Sequence, residues 1–274
     1  MNSNAYLCIK KNMATMMTLK SYIAAMLFLA IIAVPELKAQ RIVVLGSSTA
    51  AGAGVSSPDK AWASRVSAWL ADNHPGSTLI NLAKGGYTTC RIMPSGTPCY
   101  QAREHLLCVD TLRNIDKALS LHPDILIINM PTNDTSHGIS VKTQMKHFKI
   151  ITDKARKAGV EVFITTSQPH NFGEQYRPPY TACNAPDASK QHYRNWFGEL
   201  SRKIKYRYGS HAIDFYTNIA TPDGLGFISP AYDSGDGVHL NDAAHYIFAR
   251  RVIDKLIIFT TVHENLLTFQ KVTN

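Results

Sequence analysis

From Gln40 onward, short apolar runs rich in β-branched residues alternate with longer stretches whose apolar residues recur at helical spacing, and this alternation constrains the fold more than any other feature. The runs are Ile42 to Leu45, Leu79 to Leu82, Ile125 to Asn129, Val160 to Thr165 and Ala212 to Phe215. Most are apolar at consecutive positions, which suits strands covered on both faces. Between them Trp62, Val66, Trp69 and Leu70 share one helical face, as do Leu112, Ile115 and Leu119, then Val141, Met145, Phe148 and Ala155, then Tyr193, Trp196, Phe197, Leu200 and Ile204. A last stripe of Ala244, Phe248, Val252 and Leu256 closes the pattern, and the tail from Ile258 to Asn274 shows none. Five strands alternating with five helices predict an α/β domain with a parallel sheet and right-handed crossovers. In such sheets ligands sit outside the carboxyl ends of the strands.

Composition removes the other architectures. With 45% hydrophobic and 18% charged residues over 274, the chain is not disordered and fits one domain. It carries no repeat of 20 to 50 residues that would signal a solenoid or propeller. The first 39 residues read as an export signal: Lys10, Lys11 and Lys20 precede an apolar run from Tyr22 to Val34, short of the roughly 20 residues that span a bilayer. Cleavage is expected after Ala39, leaving a domain over residues 40–274 that is secreted or periplasmic, with no stable membrane insertion. Because that segment holds four lysines against Glu36, the formal charge falls on cleavage from +9 to about +6. The remaining basic residues are scattered, so no nucleic-acid partner is expected.

Removal of the segment also takes Cys8 and leaves Cys90, Cys99, Cys108 and Cys183, an even number that an exported chain can hold as two disulfides. Three pairings are open; Cys90 with Cys99 would close a short loop across Pro94, Gly96 and Pro98. The spacings match no CxxC pattern and no HExxH is present, so no metal or other cofactor is expected.

The chemistry-bearing residues follow the strands. After the first comes Gly46-Ser47-Ser48-Thr49, which fits neither a dinucleotide fingerprint nor a phosphate-binding loop. After the second, Asn81 to Thr89 includes Gly85 and Gly86, where backbone N–H groups can face a ligand without a side chain intervening. After the third, Pro131-Thr132-Asn133-Asp134 offers an amide donor. Ahead of the last helix, Asp236 and His239 lie three residues apart, a spacing that lets a carboxylate accept from its own histidine.

In this order, on successive strand ends, the four segments resemble the four sequence blocks of the SGNH/GDSL hydrolase family, and the resemblance spans about Arg41 to Leu256. It implies a three-layer α/β/α sandwich of flavodoxin-like type with a five-stranded parallel sheet, and serine esterase chemistry at the sheet's C-terminal edge. Carried over by position, Ser48 is the nucleophile, His239 the general base and Asp236 the group that fixes the imidazole tautomer. The backbone N–H groups of Ser48 and Gly86 and the Asn133 amide form the oxyanion hole. Two departures stand out: Ser47 occupies a position where the family usually has aspartate, and Pro131 one where it usually has glycine. Having two adjacent serines leaves a choice, which the count from Gly46 decides for Ser48.

His137 and His170 follow the third and fourth strands and are expected to line the substrate pocket with Tyr176. The connection from Ser167 to Lys190 also holds Phe172, Tyr180 and Cys183, and its rings offer flat surfaces on which a sugar can stack. With no long apolar lid evident, the expected substrate is an O-acetyl or short acyl ester on a carbohydrate, either a small molecule or a polysaccharide. A lipid-active, lysophospholipase-type esterase and a catalytically weak carbohydrate-binding protein of the same fold are the alternatives.

Overall fold

The computed structural model describes residues 39–102, 105–172 and 187–273; residues 1–38, which hold nearly all of the expected export signal, and Tyr176 and Cys183 lie outside the described residues. Five strands, β1 (Arg41–Gly46), β2 (Thr78–Asn81), β5 (Ile125–Asn129), β6 (Glu161–Thr165) and β7 (Ala212–Ile213), form one sheet in the order β2-β1-β5-β6-β7. Every pairing in it is parallel, with Ile42 beside both Leu79 and Ile125. Two further three-residue strands, β3 (Tyr100–Ala102) and β4 (His105–Leu107), make a separate antiparallel hairpin.

Alternation along the strands divides the core into two layers. Ile42, Val44, Ile125, Ile127 and Phe163 face helices α1 (Trp62–Asn73) and α6 (Asp242–Thr273), where they meet Trp62, Val66, Leu70, Ala244, Phe248 and Val252. Val43, Leu45, Leu126, Ile128, Val162 and Ile164 face the other side. There α2 (Ile115–Leu119), α4 (Val141–Lys157) and α5 (Asp187–Tyr208) supply Ile115, Phe148, Ile151, Leu200 and Ile204. The sheet is therefore sandwiched on both faces, which is why its strands are apolar at consecutive positions. Phe248 is fully buried and stacks on Phe215 with ring centroids 3.8 Å apart. Truncating it to alanine is expected to cost about 3–5 kcal/mol.

Local differences from the sequence reading have physical causes. Leu112 is 73% exposed and lies outside α2, because the Asn114 side chain accepts from the Lys117 N–H and starts the helix at Ile115. The α6 backbone continues through the tail to Thr273. Of the pairings left open, the structure forms Cys99–Cys108, with Cα atoms 4.2 Å apart, while Cys90 is free and buried. The hairpin explains the choice: Tyr100 pairs with Leu107, so the flanking Cys99 and Cys108 stand opposite one another.

The chain leaves β1 toward β2 on one side and returns at β5 on the other. This topological reversal opens a crevice at the carboxyl ends of β1 and β5.

Candidate active site

The turn that leaves β1 folds tightly because Gly46 has no side chain: a Cβ there would stand 2.4 Å from the Ala50 Cβ and 3.2 Å from the Asn129 carbonyl. The Ser47 N–H donates to Asn129 O at 3.1 Å, and the Ala51 and Ala53 N–H groups donate to the Ser47 and Ser48 carbonyls, closing a helical turn. The two serines then separate. Ser47 is fully buried, whereas Ser48 is half-buried and faces the β2 loop, where a Cβ on Gly85 would lie 3.9 Å from its own. That placement favours Ser48 as the serine open to a ligand.

In the β2 loop Gly86 has φ +79°, a left-handed conformation that glycine adopts without strain, and nothing lies within 4 Å of where a Cβ would sit. Asn133 opens the short helix α3 (Asn133–Ser136) and donates one of its two Nδ2 hydrogens to the Tyr87 carbonyl at 2.9 Å, leaving the second for another acceptor. Its neighbour Asp134 accepts from the Thr89 N–H and hydroxyl, so both residues fix the loop that carries Gly86. Burial, the larger influence, raises the Asp134 carboxyl to about 6 against the opposing Thr89 hydrogen bonds. The Thr89 hydroxyl also meets His147 Nδ1 at 2.7 Å.

The histidine segment is held by its own carboxylate. Asp236 Oδ2 lies 2.6 Å from His239 Nδ1, and its Oδ1 accepts from the Val238 N–H at 2.9 Å and the His239 N–H at 2.7 Å. Burial is the largest single influence on Asp236 and opposes ionisation. The hydrogen bonds from the His239 ring and from the two amides outweigh it and hold the carboxyl well below the usual carboxylate range. An ionised Asp236 accepts the Nδ1 hydrogen, so Nε2 carries the lone pair.

Three contacts bring the serine and histidine segments together. Gly54, with φ +93°, packs where a Cβ would lie 2.4 Å from Leu240 O and 2.8 Å from the His239 Cβ. Gln168, after β6, accepts from the Thr49 hydroxyl at 2.8 Å and donates to the Val238 carbonyl at 3.0 Å. The Asn171 N–H donates to Gly237 O at 2.8 Å. Ser48 and His239 therefore stand on the same edge of the sheet. No hydrogen bond joins Ser48 Oγ to the His239 ring in this structure, as is common for nucleophile and base before a substrate is bound.

The remaining expected site residues are placed differently. His137 is 8% exposed, with Nδ1 2.7 Å from Asn133 O, and so lies beside the crevice. His170, which the sequence places in the pocket lining, is fully buried: its ring centroid is 4.1 Å from that of Phe172, and its Nδ1 accepts from the Phe172 N–H. Burial, aided by the nearby His239, lowers it to about 3. Phe172 is fully buried too, stacked on Phe197, so neither ring offers a sugar a free face. Tyr176 lies outside the described residues.

Among the described residues no group of three or more His, Cys, Asp or Glu side chains could hold a metal ion, and no helix is long and apolar enough to cross a membrane. Cavities of about 470 Å³ around Lys205, Asp214 and Arg251 and about 300 Å³ around Cys90, Tyr100 and His147 contain neither Ser48 nor His239. Convergent polar groups, not cavity size, mark the site. Sequence reading missed Gln168 and Asn171, which follow the carboxyl end of β6, the one local signal that could have flagged them; Asp134 it named only as part of the third segment, without a role.

The description of the GDSL-like lipase/acylhydrolase family matches residues 44–247. Solved structures share the fold. A psychrotrophic esterase, EstA, from Pseudoalteromonas is 17% identical with a TM-score of 0.50, the match covering 81% of this chain and 99% of that one. An acetyl xylan esterase, AlAXEase, is 18% identical with a TM-score of 0.51 over 78% of this chain and 98% of its own. A GDSL-like lipase from Bacteroides thetaiotaomicron is 15% identical with a TM-score of 0.52 over 80% and 87%. No curated protein matches the sequence.

Proposed function

This chain belongs to the GDSL-like lipase/acylhydrolase family, and from that premise we propose that it is an exported serine esterase acting through Ser48, His239 and Asp236 on O-acetyl or other short acyl esters of carbohydrates. The observation that carries the reading is the 2.6 Å Asp236–His239 pair held against the turn that exposes Ser48.

Ser48 Oγ attacks the acyl carbon as its proton passes to His239 Nε2. Asp236 holds the Nδ1 hydrogen and stabilises the imidazolium. Charge developing on the carbonyl oxygen is met by the Ser48 and Gly86 N–H groups and the second Asn133 hydrogen, each donor being worth roughly 100- to 1000-fold in rate. Collapse expels the alcohol, which takes the proton from His239, and water then repeats the sequence on the acyl-enzyme.

Preference for short acyl chains is supported by the surface. Exposed large apolar side chains fall on several elements, Leu106, Leu112, Tyr206 and Leu225 singly and Tyr246, Ile257 and Ile258 along α6, and none belongs to the turns that carry Ser48, Gly86, Asn133 and His239. A carbohydrate alcohol is supported by the fold shared with an acetyl xylan esterase. Export is supported by the lysine-flanked apolar N-terminal segment and by the Cys99–Cys108 bond, a linkage kept in oxidising compartments.

The test is hydrolysis of nitrophenyl acetate, butyrate and decanoate, with acetylated glycans compared against lysophospholipid. Ser48→Ala is expected to abolish turnover. Full activity in that variant removes Ser48 from the mechanism, loss in Ser47→Ala instead transfers the role to its neighbour, and a decanoate or lysophospholipid preference replaces carbohydrate with lipid. Fractionation of the expressing cells tests export, and a cytoplasmic product overturns it.

A further inference from the structure

We propose that Gln168 is a positioning residue that sets the separation between the nucleophile turn and the histidine turn. The inference rests on the triad reading above and adds to it the part that holds its two halves in register.

Gln168 lies three residues beyond the end of β6 and is 1% exposed. Its Oε1 accepts from the Thr49 hydroxyl, and Thr49 follows Ser48 in the chain; its Nε2 donates to the carbonyl of Val238, which precedes His239. The bridge thus ends one residue from the nucleophile on one side and one residue from the base on the other. Its orientation is fixed by its partners: the Val238 carbonyl can only accept, so the Nε2 hydrogens must face it, and Oε1 is left for Thr49.

The glutamine amide supplies an acceptor for one end and a donor for the other at a neutral tip. An ionised glutamate would set an oxygen against the Val238 carbonyl, and leucine would leave a buried hydroxyl and a buried carbonyl without partners. The support behind Gln168 is stiff. Ser167 Oγ bonds the Phe197 carbonyl at 2.6 Å and Ser201 Oγ at 2.7 Å. Asn171 fixes the histidine turn from the same segment, through its N–H to Gly237 O, its Nδ2 to Asp233 and its Oδ1 to the Ile228 N–H. Segment 167–171 is therefore a strut from α5 to the histidine turn, and Gln168 extends it to the nucleophile turn.

Ser48 and His239 are not hydrogen bonded in the structure, so their approach in the reacting complex depends on how well the two turns keep their spacing. A misplacement of about 1 Å between reacting groups can cost on the order of 100-fold in rate. Neither Thr49 nor Gln168 is among the groups assigned to the substrate, so binding is expected to be left in place. The signature is a fall in kcat with KM retained.

Thr49→Val, Thr49→Ser, Gln168→Leu and Gln168→Glu are compared with Ser48→Ala on nitrophenyl acetate, with melting temperature and the His239 Nδ1 proton resonance recorded for each. Thr49→Val and Gln168→Leu are expected to lower kcat about 10- to 100-fold with KM within about twofold. The double variant is expected to be no slower than Gln168→Leu, and Thr49→Ser to restore the rate. The Nδ1 resonance should not move, because the Asp236–His239 pair is intact. If Gln168→Leu does not fold, Thr49→Val, which removes one hydroxyl, carries the test. Wild-type kcat in folded Thr49→Val, or additive losses in the double variant, overturns the inference while an inactive Ser48→Ala leaves the triad standing; an active Ser48→Ala overturns both.

Discussion

Replacing Asp236 by asparagine separates the orientation of His239 from the shape of its turn. Asparagine keeps an oxygen for the Val238 and His239 amides, now 2.9 and 2.7 Å from Oδ1, and the turn is retained. At the other oxygen, 2.6 Å from His239 Nδ1, the change puts an N–H donor against a ring nitrogen that carries its own hydrogen. The ring escapes by taking the other tautomer, with the hydrogen on Nε2, and can then no longer accept the Ser48 proton. Regaining the working tautomer forfeits a hydrogen bond to a charged group, worth about 1.5–3 kcal/mol. The imidazolium formed on proton transfer also loses an opposite charge at about 4 Å, worth up to about 4 kcal/mol at an effective dielectric near 20. With 47% of the Asp236 side chain exposed, water screens part of the second contribution. A barrier rise of about 4–5.5 kcal/mol remains, a fall of about 10³ to 10⁴ in kcat. Initial rates on nitrophenyl acetate across pH 5 to 9, beside a thermal melt, measure it. An Asp236→Asn variant within tenfold of wild type refutes the assigned role, and so does a loss that follows unfolding at the assay temperature.

Other consequences are measurable. Gly54→Ala, at φ +93° with its new Cβ 2.4 Å from Leu240 O, is expected to destabilise the fold by about 1–3 kcal/mol and to lower kcat by displacing His239; an unchanged melting temperature refutes the close approach. His147, His170 and His245 are lowered by burial to about 4, 3 and 4, so the unfolded chain takes up three protons below its ordinary imidazole range that the native protein refuses. Asp134, raised to about 6, works the other way, taking its proton first in the native state. Stability is therefore fully present above about pH 6.5 and falls toward pH 4, with a net uptake of about two protons on unfolding, each worth about 1.4 kcal/mol per pH unit; urea midpoints that stay flat over this window refute it. Cys90, buried and with its thiol pushed up to about 12 by burial, is expected to resist alkylation until the protein unfolds. Removing the Cys99–Cys108 bond, which closes a loop across a separation of nine residues, is expected to cost about 2–3 kcal/mol in the melt. Rapid labelling of Cys90 or an unshifted melt counts against each.

The sheet was legible because a strand covered on both faces has no polar positions to blur it, and all five main strands fall within a residue or two of their apolar runs. The β3–β4 hairpin was not, since strands of three residues carry too few alternations to show a period. Ser48, Gly86, Asn133, Asp236 and His239 could be singled out because each lies in a short contiguous segment that the family resemblance matches as a block. Gln168 could not, for its partners lie 119 and 70 residues away and long-range pairing of one amide leaves no pattern in the chain. Burial of His170 and Phe172 was equally hidden. It depends on Phe197, contributed by α5 across the connection.

Ser47 shows how the site tolerates losing the acid its family usually has there. The residue is fully buried and its hydroxyl has no hydrogen-bond partner, a condition that costs a protein about 1–3 kcal/mol. The turn does not rely on that side chain: the Ser47 N–H is held by Asn129 O, the Ala50 carbonyl accepts from Asn81 Nδ2 at 2.7 Å, and Thr49 is held by Gln168. Ser47→Ala should therefore leave the rate within about threefold and hold or raise the melting temperature, since it removes an unpaired buried hydroxyl. Ser47→Asp should lower stability, because it buries a carboxylate at a position with no solvent exposure. Thermal melts and nitrophenyl acetate rates on the two variants decide it, and a faster, more stable Ser47→Asp enzyme would mean that the turn still holds the donors for the missing acid.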